Sequence, residues 1–274
     1  MQSIKNHAKA QLQAGGLALG MGLRQARTVD IAQIAKTSGF DWLFIDMEHN
    51  SMDIDTAAQI CAGALVGGIT PIIRVPGHEA FHATRLLDTG AMGIVVPHVS
   101  TAEQATHVAN MCRFPPAGGR SIPGMLPQVG FEALPIADVV RAINDEILVV
   151  AMIETGEGLQ NVEAIAAVPG IDVLLVGTTD LAADLGITGQ LGHERIGDAI
   201  DAVCAACARN GKVPGVGGVY DEALMRAYVQ KGARFILSGS DLAFLMAGAK
   251  SRSKMLRSIP LDTEQDQALE RAAS

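Results

Sequence analysis

Short, almost wholly apolar runs alternate along this chain with longer segments in which apolar residues recur every three or four positions. The runs begin near Leu17 (LALGM), Trp42 (WLFID), Pro71 (PIIRV), Gly93 (GIVVP), Leu148 (LVVAMIE), Val173 (VLLVG), Val213 (VPGVG) and Phe235 (FILSG). Each ends in small or polar residues and leads into a helix-period stretch, the pattern of repeated strand–helix units. IVVP and VLLV are apolar on both alternations, as parallel strands are when both faces are covered. Eight units at a spacing of about 31 residues fit a (β/α)8 TIM barrel of roughly 250 residues. A doubly wound open sheet would want a G-x-G-x-x-G turn after its first strand, and GMGLRQ lacks the third glycine.

The pattern predicts one barrel domain over residues 1–252. An apolar helix (SDLAFLMAGAKSRSKML) follows the last strand, and residues 253–274 form a charged C-terminal tail. One interval is oversized. Between the fourth and fifth strands, Arg113 to Pro135 carries four glycines and five prolines, too many for regular structure. A loop of that length reads as a surface excursion, a lid or a subunit contact.

Composition narrows the partners. With Lys+Arg 21 against Asp+Glu 29, the net charge of −8 speaks against a nucleic-acid binder. A hydrophobic content of 49% with only 18% charged residues calls for a large interior and a surface suited to self-association. The four cysteines are few and unevenly spaced, as free thiols in a reducing cytoplasm are. Cys204 and Cys207 form a C-x-x-C inside an alanine-rich run, where packing is a better reading than redox or zinc chemistry. The chain shows neither a signal-peptide core nor an apolar run long enough to span a bilayer, so a cytoplasmic protein without membrane contact is expected.

In such a barrel the reacting groups stand at the carboxyl ends of strands. Strand 2 ends in Asp46, Glu48 and His49, strand 3 at Arg74, strand 5 at Glu154, and strand 6 leads to Asp180. Glu154 and Asp180 lie one repeat apart and emerge on one rim, where two carboxylates can share a hard divalent cation. Their structural alternative is helix capping, Glu154 before one helix and Asp180 before LAADLG. His49 suits base chemistry near neutral pH, and Arg74 offers a permanent planar cation for a carboxylate or developing enolate. Asp88 either orients His49 or is a helix-end charge. His78 and His82, at i and i+4, read as a solvated helix face rather than a zinc site, and His98 as a residue of the mouth. No lysine falls within an expected strand, and Lys212 and Lys231 precede strands 7 and 8. Metal-assisted enolisation is therefore favoured over a Schiff base.

The segments GFDWLFIDMEHNSMD, PIIRVPG, RLLDTGAMGIVVPHV, FPPAGGRS, MIETGEGLQNVEAIAAVPGID, LLVGTTDLAADLG and SGSDL resemble the HpcH/HpaI family of class II pyruvate aldolases, in order from about Gly16 to Lys250. The resemblance implies a barrel whose C-terminal helix is exchanged between subunits of a homo-hexamer, a trimer of dimers. It implies Mg²⁺, Mn²⁺ or Co²⁺ at Glu154 and Asp180, chelated by a 2-oxo acid. It further implies His49 as base with Asp88 as partner, Arg74 on the substrate oxygen, and Gly177, Thr178 and Thr179 on the substrate carboxylate. Three positions depart from the family. Met152 stands where glutamine is common, Thr178 and Thr179 where proline with alanine or serine is common, and Gly217 where a bulky apolar residue is frequent. A roomier pocket that accepts hydroxypyruvate as well as pyruvate, with an aldehyde as second substrate, is the expectation. The rivals are a phosphosugar-type barrel enzyme, suggested by the glycines after strands 7 and 8, and a non-catalytic barrel serving binding or assembly.

Overall fold

The computed structural model describes residues 4–260. Eight parallel strands close in sequence order into a barrel: β1 (Ala18–Leu23), β2 (Trp42–Asp46), β3 (Thr70–Arg74), β4 (Gly93–Val96), β5 (Leu148–Ile153), β6 (Val173–Gly177), β7 (Val213–Gly217) and β8 (Phe235–Ser240). Every strand starts within one residue of its expected position. The helices are α1 (His7–Gln13), α2 (Ile31–Thr37), α3 (Ile54–Gly67), α4 (Ala80–Asp88), α5 (Ala102–Cys112) and α6 (Ile136–Glu146), then α7 (Gly156–Gln160), α8 (Val162–Ala166), α9 (Thr178–Asp184), α10 (Glu194–Asn210), α11 (Glu222–Lys231) and α12 (Asp241–Arg257).

Strand alternation divides the apolar residues into two cores. Ala18, Trp42, Phe44, Ile72, Val95, Leu148, Val150, Met152, Val173, Leu175 and Phe235 fill the barrel, while their odd-register neighbours pack outward against the helices. Trp42 anchors the inner core, stacking on Phe235 with ring centroids 4.1 Å apart and donating its indole N–H to Ala18 O. The neighbouring strand makes room for it: a Cβ at Gly20 would stand 2.3 Å from the indole.

The amino end of the barrel is closed by α1. Asn6 caps that helix and donates its side-chain amide to Met92 O and Glu146 O, just before β4 and β5. The carboxyl end stays open. Continuing the same alternation brings Asp46, Arg74 and Glu154 inward at that end, whereas β1, β6, β7 and β8 present Gly22, Gly177, Gly217 and Gly239. Side chains of opposite charge on one side and missing side chains on the other leave a cavity of about 460 Å³.

Two elements stand apart from the regular plan. The Arg113–Pro135 segment is pinned rather than loose. Arg113 donates to Gly170 O, Asn144 O and Asp172, and Gln128 donates to Leu87 O and Ala91 O. None of its residues lines the cavity, so it is no lid over its own mouth. Helix α12 contributes no buried residue. Phe244, Leu245, Met246, Met255 and Leu256 are all exposed along it. The helix runs to Arg257, past the expected domain limit at residue 252, and the charged tail from residue 261 lies outside the described residues.

Candidate active site

The cavity brings together, from β2 to β6, most of the residues singled out from the sequence. His49, Arg74, Met152, Gly177, Thr178, Thr179 and Asp180 all line it. Arg74 is the most constrained. Its Nε and Nη2 donate to the two oxygens of Asp46 at 3.0 and 2.7 Å, Nη1 lies 2.9 Å from Glu48 Oε2, and the guanidinium sits 5.1 Å from the centre of the Phe44 ring. Burial by itself would raise the Asp46 carboxyl, but hydrogen bonds from Arg74 and its charge outweigh this and hold it below the usual range. The pair is a rigid post at the carboxyl ends of β2 and β3, and His49 stands beside it, half-exposed, with Nε2 3.7 Å from Glu48.

Glu154 is held differently. Its Oε1 accepts from the backbone N–H of His98 at 2.8 Å and lies 3.2 Å from His98 Nδ1. Its Oε2 is buried without a hydrogen-bond partner. Burial pushes the Glu154 carboxyl up, and the charges of Asp180 and Glu48 add to the shift while His98 opposes it. A buried, unpartnered carboxylate oxygen is costly unless something cationic completes it.

Neither Glu154 nor Asp180 is used as a helix cap. Thr155 caps α7 with its own hydroxyl, and the cap position of α9 is Gly177, leaving Asp180 in the first turn. Among the described residues no group of three or more His, Cys, Asp or Glu is arranged around a metal position. The two carboxylates nevertheless fit a hard divalent cation that takes its remaining oxygens from substrate and water: the donors are oxygens, one is orphaned, and the two charges crowd each other.

Several expectations change. Asp88 does not contact His49 in this chain. It ends α4, which returns toward the amino end of β4, and it pairs there with Arg120 at 2.5 Å. Arg120 is wholly buried over the Phe114 ring, with Nε and Nη1 unpartnered. His78 and His82 share no helix face, because α4 begins at Ala80 and His78 bonds Pro97 O. The Thr178 hydroxyl donates to Gly217 O, tying β6 to β7. Cys204 and Cys207 are free thiols, and burial pushes Cys207 up to about 12, which suits packing and not redox chemistry.

Other site residues went unassigned in the sequence. Asp46 follows from alternation after Trp42 and Phe44, and Arg24 from alternation after Ala18. The grip of His98 on Glu154 needs a positive φ of 52° at His98, for which the sequence carries no signal.

Comparison with known proteins agrees with this geometry. Residues 24–247 match the family model described as HpcH/HpaI aldolase/citrate lyase. The chain is 38% identical to 4-hydroxy-4-methyl-2-oxoglutarate aldolase of Hapsidospora irregularis, covering 96% of this chain and 98% of the relative. It is 33% identical to hydroxypyruvate/pyruvate aldolase of Cupriavidus necator, covering 94% of each. The crystal structure of an HpcH/HpaI aldolase from Desulfitobacterium hafniense superposes with a TM-score of 0.87 at 31% identity, over 92% of this chain and 97% of that one. On the match over most of its length, the barrel and these relatives, the chain belongs to the HpcH/HpaI aldolase/citrate lyase family of lyases.

Proposed function

We propose that this enzyme is a divalent-cation-dependent aldolase that cleaves 4-hydroxy-2-oxo acids to a 2-oxo acid and an aldehyde, and runs the addition in reverse. The observation that carries this reading is the orphaned Glu154 Oε2, buried against Gly177 in the wall of the cavity that His49, Arg74 and Asp180 line, with the Asp180 charge near enough to act on it. Relatives named as aldolases of 4-hydroxy-4-methyl-2-oxoglutarate and of hydroxypyruvate or pyruvate support the substrate class.

Glu154 and Asp180 would hold Mg²⁺, Mn²⁺ or Co²⁺, which when bound supplies Lewis acidity toward the oxygens of a 2-oxo acid. Gly177, Thr178 and Thr179 present backbone N–H groups to the acid's carboxylate. In cleavage, His49 takes the proton of the C4 hydroxyl as the C3–C4 bond breaks, the C4 carbonyl forms and the bonding electrons pass into an enolate. Arg74, locked in place by Asp46 and Glu48, faces the enolate oxygen, and a preorganised charge of this kind costs no rearrangement during reaction. The proton held by His49 then passes to C3, completing the 2-oxo acid and returning His49 to its base form. Met152 offers no amide to the donor, and Gly177 and Gly217 keep the floor open, which supports acceptance of hydroxypyruvate beside pyruvate.

The glycines that suggested a phosphate site line this same cavity, so they need no phosphosugar. Asp88 can orient His49 only across a subunit contact, since within one chain it serves Arg120. Helix α12 is suited to exchange: it stands off its own barrel with an apolar face exposed, next to a cavity of about 610 Å³ lined by Met21, Ile31, Ile34, Phe40, Phe244 and Leu245 among others. A homo-hexamer built as a trimer of dimers is the assembly we propose, and the free buried thiols suit a cytoplasmic setting. Among the described residues no helix is long and apolar enough to cross a membrane.

Substituting His49→Ala tests the role assignment. Aldol turnover should fall by at least 100-fold while Mn²⁺ binding stays within a few-fold of wild type, and unchanged turnover would contradict the role given to His49.

A further inference from the structure

The mouth contains a second cation that the aldol steps leave without a task. Along β1, Ala18 belongs to the inner core, Gly20 faces Trp42 and Gly22 lines the cavity, so the next even position delivers Arg24 to the rim on the inner side. Its backbone is fixed. The N–H groups of Arg24, Gln25 and Ala26 all donate to the Asp241 carboxylate, at 2.7, 2.9 and 2.6 Å.

Its side chain is engaged far less. The nearest acid is Asp46, whose Oδ2 lies 3.7 Å from Arg24 Nη1, and both Asp46 oxygens already accept from Arg74. Among the described hydrogen bonds, none is donated by the Arg24 guanidinium. Its side chain is 44% exposed, against 7% for Arg74. The two arginines therefore differ in kind: Arg74 is part of the wall, and Arg24 is a planar fork of N–H donors turned to the cavity. That fork matches a carboxylate in two parallel hydrogen bonds.

Barrel order says which end of a substrate it meets. In a closed ring of eight strands, β1 lies opposite β5, so Arg24 faces Glu154 across the mouth. A 2-oxo acid seated at Glu154 and Asp180 must direct its C4 substituent away from β5 and β6, toward the side that carries His49 and Arg24. The charge pattern agrees. Asp46, Glu48, Glu154 and Asp180 face Arg24 and Arg74, a balance that one divalent cation at Glu154 and Asp180 brings to neutrality. An anion at the far end then meets a cation instead of a repelling rim.

Given the aldol chemistry above, on which this rests, we propose that Arg24 is a specificity-determining residue that binds a second carboxylate, borne by the acceptor half of the substrate. The preferred substrates are then dicarboxylic 4-hydroxy-2-oxo acids, cleaved to a 2-oxo acid and an oxo acid with its own carboxylate.

The test compares aldol addition of pyruvate to 4-oxobutanoate and to butanal, an uncharged acceptor of the same chain length, in wild type, R24K and R24Q. Wild type should prefer 4-oxobutanoate. R24Q should lower the ratio of the two kcat/KM values by at least tenfold, mainly through KM for 4-oxobutanoate, and R24K should restore part of it. An equal loss on both acceptors would mean that Arg24 only props Asp46, and an unchanged ratio would mean that it does not touch substrate. Either result overturns the assignment while leaving the aldolase reading intact. If wild type adds pyruvate to neither acceptor, the aldolase reading itself falls and Arg24's role with it.

Discussion

Gly177 sits at the tip of β6 directly beneath the carboxylate of Glu154, and replacing it with alanine probes the site without changing any charge. A Cβ there would lie 2.4 Å from Glu154 Oε2, 2.9 Å from Met152 Cε and 3.0 Å from Glu154 Cβ. Non-bonded carbon and oxygen settle about 3.3–3.6 Å apart, so the carboxylate must retreat by about 1 Å. It has little room to do so, because Oε1 is gripped by two groups of His98 and Glu154 is buried. Overpacking of this kind costs about 1–3 kcal/mol, and misplacing a reacting group by about 1 Å costs on the order of 100-fold in rate. Gly177→Ala should therefore fold, weaken Mn²⁺ binding at least tenfold in a calorimetric titration, and lower kcat/KM for aldol cleavage on the order of 100-fold. Wild-type affinity for Mn²⁺ together with wild-type turnover would refute the placement of Glu154 Oε2 at the functional centre.

Three further outcomes follow from the same contacts. Burial and neighbouring carboxylates raise the Glu154 carboxyl, so its charged form is disfavoured in the folded state and the stability lost on ionisation grows as pH rises through its raised pKa. Glu154→Gln should thus raise the Tm of the cation-free enzyme at pH 8 more than at pH 5, and abolish the further rise on adding Mn²⁺; equal effects at both pH values would contradict the shift. Gly20→Ala drives a methyl into Trp42, which cannot yield because it is stacked on Phe235 and bonded to Ala18, and should cost about 1–3 kcal/mol, read as a Tm several degrees lower by circular dichroism. Leu245→Asp, on the exposed face of α12, should leave the fold intact yet yield a smaller species by size-exclusion chromatography with light scattering; an unchanged oligomer mass would count against helix exchange.

How far the sequence foretold this molecule depended on the range of the interaction involved. Strand positions were legible because burial on both faces imposes continuous apolar runs, and the rule that reacting groups stand at the carboxyl ends of strands pointed to Arg74 and Glu154. Asp46 was named at the end of strand 2 but given no role, and Arg24 was not singled out; the period of two that carries Trp42 and Phe44 inward, and Ala18 on the first strand, would have placed both at the mouth. Asp88 does not neighbour His49 of its own chain. Its place at the end of α4, just before β4, puts it at the amino end of its own barrel, and its companion there, Arg120, comes from a loop whose course is set by long-range polar anchors such as Arg113 and Gln128. The bond from His98 to Glu154 was hidden for a related reason: it depends on a left-handed backbone at a residue other than glycine, fixed by its surroundings. The apolar composition of α12 was legible, and its exposed stance was anticipated only through the family resemblance, which implied a C-terminal helix exchanged between subunits.

The most direct measurement is the cleavage of a 4-hydroxy-2-oxo acid, followed by release of the 2-oxo acid, before and after chelation and with Mg²⁺, Mn²⁺ or Co²⁺ restored. Turnover should disappear with chelator, return with the cation in wild type, and fail to return in Glu154→Gln. Turnover that persists in the presence of chelator, and that borohydride traps as a covalent adduct on a lysine, would contradict that dependence on the cation.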